Sequence, residues 1–310
     1  MTTVLQTTSN VMMVRPANFG FNEQTAASNA FQSDSGELTP AEISHRAIEE
    51  FDTFVARLRA KGIKVLVVED SPQPVRPDAV FPNNWVTFHQ NGQIITYPMY
   101  APLRRHERRH EVLEQMKAQF DVKAIHRLEE AEGRELFLEG TGSMILDRQH
   151  RIVYACTSPR TDEALLDEFC QLMDYRKCQF QAVDGEGQDI YHTNVMMALG
   201  ETFVVICLAT IRDEAERQQT LDFFAQTNKT VIDITLDQMM AYAGNMLQLR
   251  NTDGDTYLVM SEQALRSLRA DQIEQISQHT HILSSPIYTI EAYGGGSARC
   301  MIAEVFLPEK

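Results

Sequence analysis

Short apolar runs bounded by glycine, proline and asparagine recur along the chain in one order. A loop enters an apolar strand, a hairpin returns it as a second strand, a helix follows, and a third short strand closes the set. The first set covers residues 78–88, 94–97, a helix at 107–120, and 122–126; the second covers 139–146, 152–155, 161–173 and 180–183. A third takes 192–198, 203–209, 214–227 and 230–234, and a fourth 243–249, 256–260, helical turns over 262–277, and 281–283. The fifth has only the run 300–306, and its missing parts stand at the other end of the chain. They are a strand at 11–15, a helix opening at Thr39 and a strand at 64–69.

With Asn84, Ser143, Asn194, Asn245 and Cys300 set as equivalent, the copies are spaced by 59, 51, 51 and 55 residues. A period near 50 marks stacked or radially arranged supersecondary units. Because the N-terminal pieces complete the last copy, a closed ring follows, and closure protects the strand edges. The expected fold is α/β, a pseudo-fivefold, five-bladed α/β propeller built from ββαβ units. It makes one catalytic domain of residues 1–310, where length alone proposes two. An irregular α/β protein whose hairpins look alike by chance is the competing reading.

Local signals agree with this frame. Thr39-Pro40-Ala41-Glu42 combines a capping threonine, a first-turn proline and an acid at the third position. Ile43, Ala47, Ile48, Phe51, Val55 and Leu58 then mark one buried stripe. Ahead of this helix, a loop with Phe19, Gly20, Phe21 and Asn22 leads into a polar stretch, up to Gly36, that reads as mobile.

Composition narrows the partners. A formal charge of -15 argues against nucleic acid and anionic membrane surfaces. No apolar run approaches a membrane span, and the N-terminus has no secretory pattern, so a cytoplasmic protein is expected. Neither the five cysteines nor the nine histidines show metal-ligand spacing, and no cofactor or metal is expected. A small amino-acid substrate fits, since a pocket can differ in sign from the whole surface. Composition is equally compatible with a monomer and a homo-oligomer.

Chemistry concentrates in the repeat register. Gly294, Gly295 and Gly296 give a backbone that approaches a ligand closely, and Cys300 falls where that loop meets a strand expected over 301–306. Asp78, Glu139 and His192 stand six, four and two residues before their anchors, so a closed ring brings them to the same end of its axis as Cys300. A thiol needs a proton carrier to act as a nucleophile, and a carboxylate can orient the imidazole that serves it. Singly, each is as readily a buried cysteine, a satisfied histidine or a turn-capping acid.

Four stretches now resemble a known family. They are Pro77-Asp-Ala-Val-Phe-Pro-Asn-Asn-Trp85, Glu139-Gly-Thr-Gly-Ser143, Tyr191-His-Thr-Asn194 and Gly294-Gly-Gly-Ser-Ala-Arg-Cys300. Together they are similar to the guanidino-group-modifying superfamily of arginine deiminase, dimethylarginine dimethylaminohydrolase and the amidinotransferases, whose members are five-bladed α/β propellers. The resemblance implies Cys300 as nucleophile, His192 as general acid and base, Glu139 as its carboxylate partner and Asp78 in the substrate site. Asn84 and Asn194 stand where guanidine-processing relatives carry carboxylates, and Asn83 replaces an acid of the dimethylarginine enzymes. Amides suit a neutral ureido group, with its C=O acceptor, better than a guanidinium. With its Phe81-Pro-Asn-Asn-Trp85 segment the chain is most similar to the citrulline-utilisation hydrolase subgroup.

The expected reaction is therefore hydrolysis of citrulline or a close analogue to ornithine, carbon dioxide and ammonia, through an S-carbamoyl enzyme. The alternative is an arginine deiminase-like hydrolase or an amidinotransferase acting on a guanidino substrate. Arg15, Arg104 and Arg105 are candidates to grip the α-carboxylate. Phe19 and Asn22 could form a lid over the pocket.

Overall fold

Five three-stranded sheets repeat one topology. The computed structural model describes residues 4–26, 29–33 and 36–310, so part of the polar stretch read as mobile lies outside the described residues. Unit one holds Val86–Phe88, Gln93–Thr96 and Ala124–Arg127; unit two holds Ile145–Asp147, Ile152–Cys156 and Arg176–Phe180. Unit three is Met197–Leu199, Phe203–Ile206 and Thr230–Asp233, and unit four is Leu247–Arg250, Thr256–Ser261 and His281–Ser285. In unit five the C-terminal Ala303–Glu304 pairs with Asn10–Arg15, which pairs with Lys64–Glu69. The two ends of the chain thus share one sheet, and the five units form an α/β propeller.

Within each unit the first two strands are antiparallel and the second and third are parallel. A parallel neighbour requires a crossover, and in each unit helical structure supplies it. In unit five it is Pro40–Ala60, whose capping box of Thr39 and Glu42 is present. That helix buries Ile43, Ala47, Phe51, Phe54, Val55 and Leu58, with Phe54 added to the expected stripe and Ile48 only half-buried.

Burial shows where the axis lies. Val86–Phe88, Ile145–Asp147, Met197–Leu199 and Ala303–Glu304 are buried at every position, on both faces. The third strand of unit five, Lys64–Glu69, has exposed ends and half-buried positions. First strands therefore line the centre, and those of neighbouring units meet there, as in the bridge between Phe88 and Val305.

The entrance to each first strand differs from expectation. Asn84, Ser143 and Asn194 sit on single helical turns, Pro82–Asn84, Gly140–Ser143 and Thr193–Val195, that precede the strands. Cys300 lies in a turn as well, and only Ala303–Glu304 of the expected 301–306 run is paired as strand. A helical turn curls the backbone so that several side chains and N–H groups face the axis from one short segment, which an extended strand cannot do. Among the described residues no helix is long and apolar enough to cross a membrane.

Candidate active site

The turn Gly140–Ser143 exists because two glycines admit close neighbours. Gly140 has a left-handed φ of +47° and packs on the Asn83 carbonyl, where a Cβ would collide with backbone. At Gly142 a Cβ would run into the Asn84 amide and the His192 ring. These contacts pull units one, two and three together at the axis. They also place Glu139, just ahead of the turn, against His192.

Glu139 is fully buried and its carboxylate is answered on both oxygens. Oε1 accepts from the Tyr100 backbone N–H at 2.8 Å, and Oε2 lies 2.8 Å from His192 Nε2. Arg160 and Arg104 stand 3.6 and 4.0 Å from Oε2. Burial pushes this carboxyl up, but Arg160, the hydrogen bond from His192 and Arg104 outweigh it and hold it down at about 2. Burial drives His192 the other way, to about 4, against the pull of Glu139. At neutral pH the pair is an ionised carboxylate and a neutral imidazole, with Nδ1 as the nitrogen not engaged by Glu139.

Cys300 is 4% exposed and its sulfur is held by two amides. Asn194 Nδ2 donates to Sγ at 3.3 Å and Asn245 Nδ2 at 3.2 Å. Both amides come from the anchor positions of units three and four. Among the described residues no hydrogen bond joins Cys300 directly to His192; instead the two line one cavity, with Asp78, Asn84, Arg104 and Gly294–Gly296. That cavity offers about 20 Å³ to a water-sized sphere, room for one water rather than an amino acid. The site is closed in this structure. Thr25 and Asn29 also line it, and Asn29 Nδ2 and the Tyr191 hydroxyl both donate to the Gly295 carbonyl.

A buried charge cluster forms one wall. Arg104 clasps Glu107 through Nε and Nη2, at 2.8 and 2.9 Å, and its Nη1 donates to Asn84 Oδ1 at 3.0 Å. Asp78 lies 3.7 Å from Arg104 Nε and accepts from Asn22 at 2.6 Å. Burial opposes charge on Arg104, but Glu107 and Asp78 outweigh it and keep it cationic. Burial first, and then the nearby Asp78 and Glu139 charges, push the Glu107 carboxyl up; the two short bonds to a guanidinium that stays charged oppose this and favour the ionised form. Asp78 is also pushed upward by burial, with Arg104 opposing.

The expected site residues divide. Cys300, His192, Asp78, Asn84 and Arg104 line the cavity, with Glu139 behind His192 and Asn194 behind Cys300. Asn22 reaches the site through Asp78. Asn83 is wholly buried outside the lining, although its carbonyl accepts from Thr141. Phe19 is core, packed with Phe81 near Gly294. Arg15 lies outside the cavity because Asp52, on the helix beside it, engages its guanidinium at 2.7 and 2.8 Å. Arg105 pairs with Glu132 instead. Thr25, Asn29, Arg160, Tyr191 as a side chain, and Asn245 escaped the sequence reading. Asn245 had a signal, since it holds the same repeat position as Cys300. Among the described residues no group of three or more His, Cys, Asp or Glu side chains could hold a metal ion.

A family model described as N,N dimethylarginine dimethylhydrolase, eukaryotic, matches residues 15–307. The chain belongs to this family. Membership places it in the guanidino-group-modifying superfamily, whose members of this kind are cysteine-dependent hydrolases. No curated relative matches the chain. Among solved structures, the product-bound N-terminal domain of ArgZ, an arginine dihydrolase from the ornithine–ammonia cycle in cyanobacteria, has a similar fold. It shares 15% identity over 96% of this chain and 98% of that one, with a TM-score of 0.74. The complex of AgrE with ornithine and NAD+ shares 17% identity over 98% of this chain and 40% of that one, with a TM-score of 0.73. A dimethylarginine dimethylaminohydrolase adduct with S-methyl-L-thiocitrulline shares 12% identity over 96% and 100%, at 0.64. At these identities the likeness to these solved structures is one of fold.

Proposed function

We propose that residues 1–310 act as one catalytic unit that hydrolyses the guanidino group of arginine or a close analogue, ending at ornithine and ammonia. The carrying observation is the single cavity shared by Cys300, His192 and Asp78, with Glu139 bonded behind the imidazole. The likeness in fold to the solved arginine dihydrolase domain adds support.

In this reading His192 takes the Cys300 thiol proton and the resulting thiolate adds to the guanidino carbon while Asp78 accepts from the substrate N–H groups. His192 delivers a proton to the departing nitrogen, ammonia leaves, and a covalent thiouronium adduct remains. Water adds to that carbon as the imidazole takes its proton, and the C–S bond breaks to give the ureido product, citrulline. A second round on the ureido carbon expels ornithine and leaves an S-carbamoyl enzyme, which water converts to carbamate and thence to carbon dioxide and ammonia. Across both rounds arginine and two waters become ornithine, carbon dioxide and two ammonia. Asn194 and Asn245 act by donating to the sulfur, which favours its anionic form.

One observation favours a second reading, in which citrulline alone is the substrate. Arg104 is a donor only, so its bond to Asn84 Oδ1 fixes the amide's orientation and leaves Nδ2, without a protein partner, as a donor. A guanidinium has no acceptor to offer that group, whereas a ureido oxygen does. Buried Asp78 Oδ1 and Asn194 Oδ1, likewise without a protein partner, can take the N–H groups.

Assaying ammonia and ornithine from arginine and from citrulline separates these cases. The leading reading expects ornithine from both, with twice as much ammonia from arginine. Ornithine from citrulline but nothing from arginine selects the second. No product from either substrate overturns both.

A further inference from the structure

The first strands run from the catalytic cavity to the opposite end of the ring. There the hairpins of units one and two, the end of the unit-two helix and the N- and C-terminal segments line a second, partly open cavity of about 260 Å³. Leu5, Met173 and Phe306 give it apolar wall, and Arg148, Arg151 and Tyr175 give it polar wall. Its built feature is Arg148, only 5% exposed. The guanidinium lies 4.0 Å from the centre of the Phe306 ring and donates to His89 Nδ1 at 3.4 Å.

The charge of Arg148 is incompletely answered. His89 is held neutral by burial and by Arg148 itself, and its Nε2 is bonded to Thr87 at 2.8 Å. Glu304 lies 3.8 Å from Arg148 but is bound more closely by Arg299, at 2.9 Å. Asp147, the preceding residue, is engaged by Lys229 and His150. Two buried guanidiniums therefore share one carboxylate beside a cavity. A buried charge without a full counter-charge is costly, so the place favours an incoming anion.

We propose that this cavity is a binding site for a small organic carboxylate, gripped by Arg148 with its apolar body against Phe306 and Met173. Guanidinium and carboxylate match as a planar, two-bonded pair, and the apolar wall rewards a ligand that carries carbon beyond the charged group. An inorganic anion answers the charge and leaves that wall unused. The site also touches the nucleophile's own support. Glu304 holds Arg299, whose backbone N–H donates to Asn245 Oδ1, and Asn245 holds the Cys300 sulfur.

Calorimetric titration of the full chain with benzoate, and separately with inorganic phosphate, tests this. One saturable benzoate site is expected, with phosphate about tenfold weaker or more, and with Arg148→Gln and Leu5→Trp each weakening benzoate at least about tenfold. Leu5 is 37% exposed at the rim and outside the charge cluster, so Leu5→Trp decides the matter if Arg148→Gln does not fold. Three results overturn the proposal: no saturable benzoate binding to the unaltered chain, benzoate binding that survives Leu5→Trp unchanged, or phosphate bound as tightly as benzoate.

Discussion

Two buried histidines stand at opposite ends of the first strands, and their neighbours give them opposite capacities. His192, before the first strand of unit three, bonds to Glu139; His89, after that of unit one, bonds to Thr87 and faces Arg148. Burial makes both neutral, bringing His192 to about 4 and His89 well below the ordinary 6.5. Glu139 resists that fall and would steady an imidazolium, whereas Arg148 deepens it. A proton can therefore be taken and returned at His192, while His89 is confined to accepting from a guanidinium. What separates the two rings is a carboxylate at hydrogen-bond distance from His192 and a guanidinium beside His89.

Removing the imidazole beside Glu139 should cost the most. His192→Gln should lower kcat by about 10² to 10⁴, with proton transfer lost while the cavity keeps a polar side chain. A steady-state assay checks this, and turnover close to that of the unaltered chain would remove His192 from the chemistry. Next in size is Asn84→Asp, which replaces an oriented donor by an acceptor. The ratio of guanidino to ureido turnover should rise by about tenfold or more, measured on arginine and citrulline side by side. An unchanged ratio would mean that Asn84 does not touch the reacting group.

The two histidines also affect stability, more modestly. A histidine whose pKa is depressed in the folded chain adds stability above its unfolded value and loses it as pH falls toward the folded one. For His192 that window runs from 6.5 down to about 4, and the contribution is roughly 3 kcal/mol. His89 acts in the same direction. The melting temperature should therefore fall as pH drops through this range, and the fall should be shallower in His192→Gln and in His89→Gln. A fall from pH 7 to 4 that is as steep in His192→Gln and His89→Gln as in the unaltered chain would contradict the neutral state of both rings.

Much of this architecture was legible because repetition multiplies weak signals. Each short apolar run alone is ambiguous, but the equivalence of Asn84, Ser143, Asn194, Asn245 and Cys300 located the axis and the end at which chemistry gathers. Thr39 and Glu42 were legible for a local reason, since a capping box needs only neighbouring residues. The helical turns before the strands were not. Gly140 and Gly142 are shaped by contacts with Asn83, Asn84 and His192, which no local pattern announces. Arginines were the least legible group, because a long side chain goes to whichever acid the fold brings near. Arg15 found Asp52 at the outer helix, while Arg104 found Glu107 and Asn84 inside.

The central assignment is that a bond forms between the Cys300 sulfur and the substrate carbon. Peptide mass spectrometry of enzyme acid-quenched during turnover, with arginine and with citrulline, tests it directly. The account predicts a substrate-derived adduct on the peptide bearing Cys300, absent in Cys300→Ser. Turnover that persists in Cys300→Ser, or an adduct confined to another residue, would contradict it.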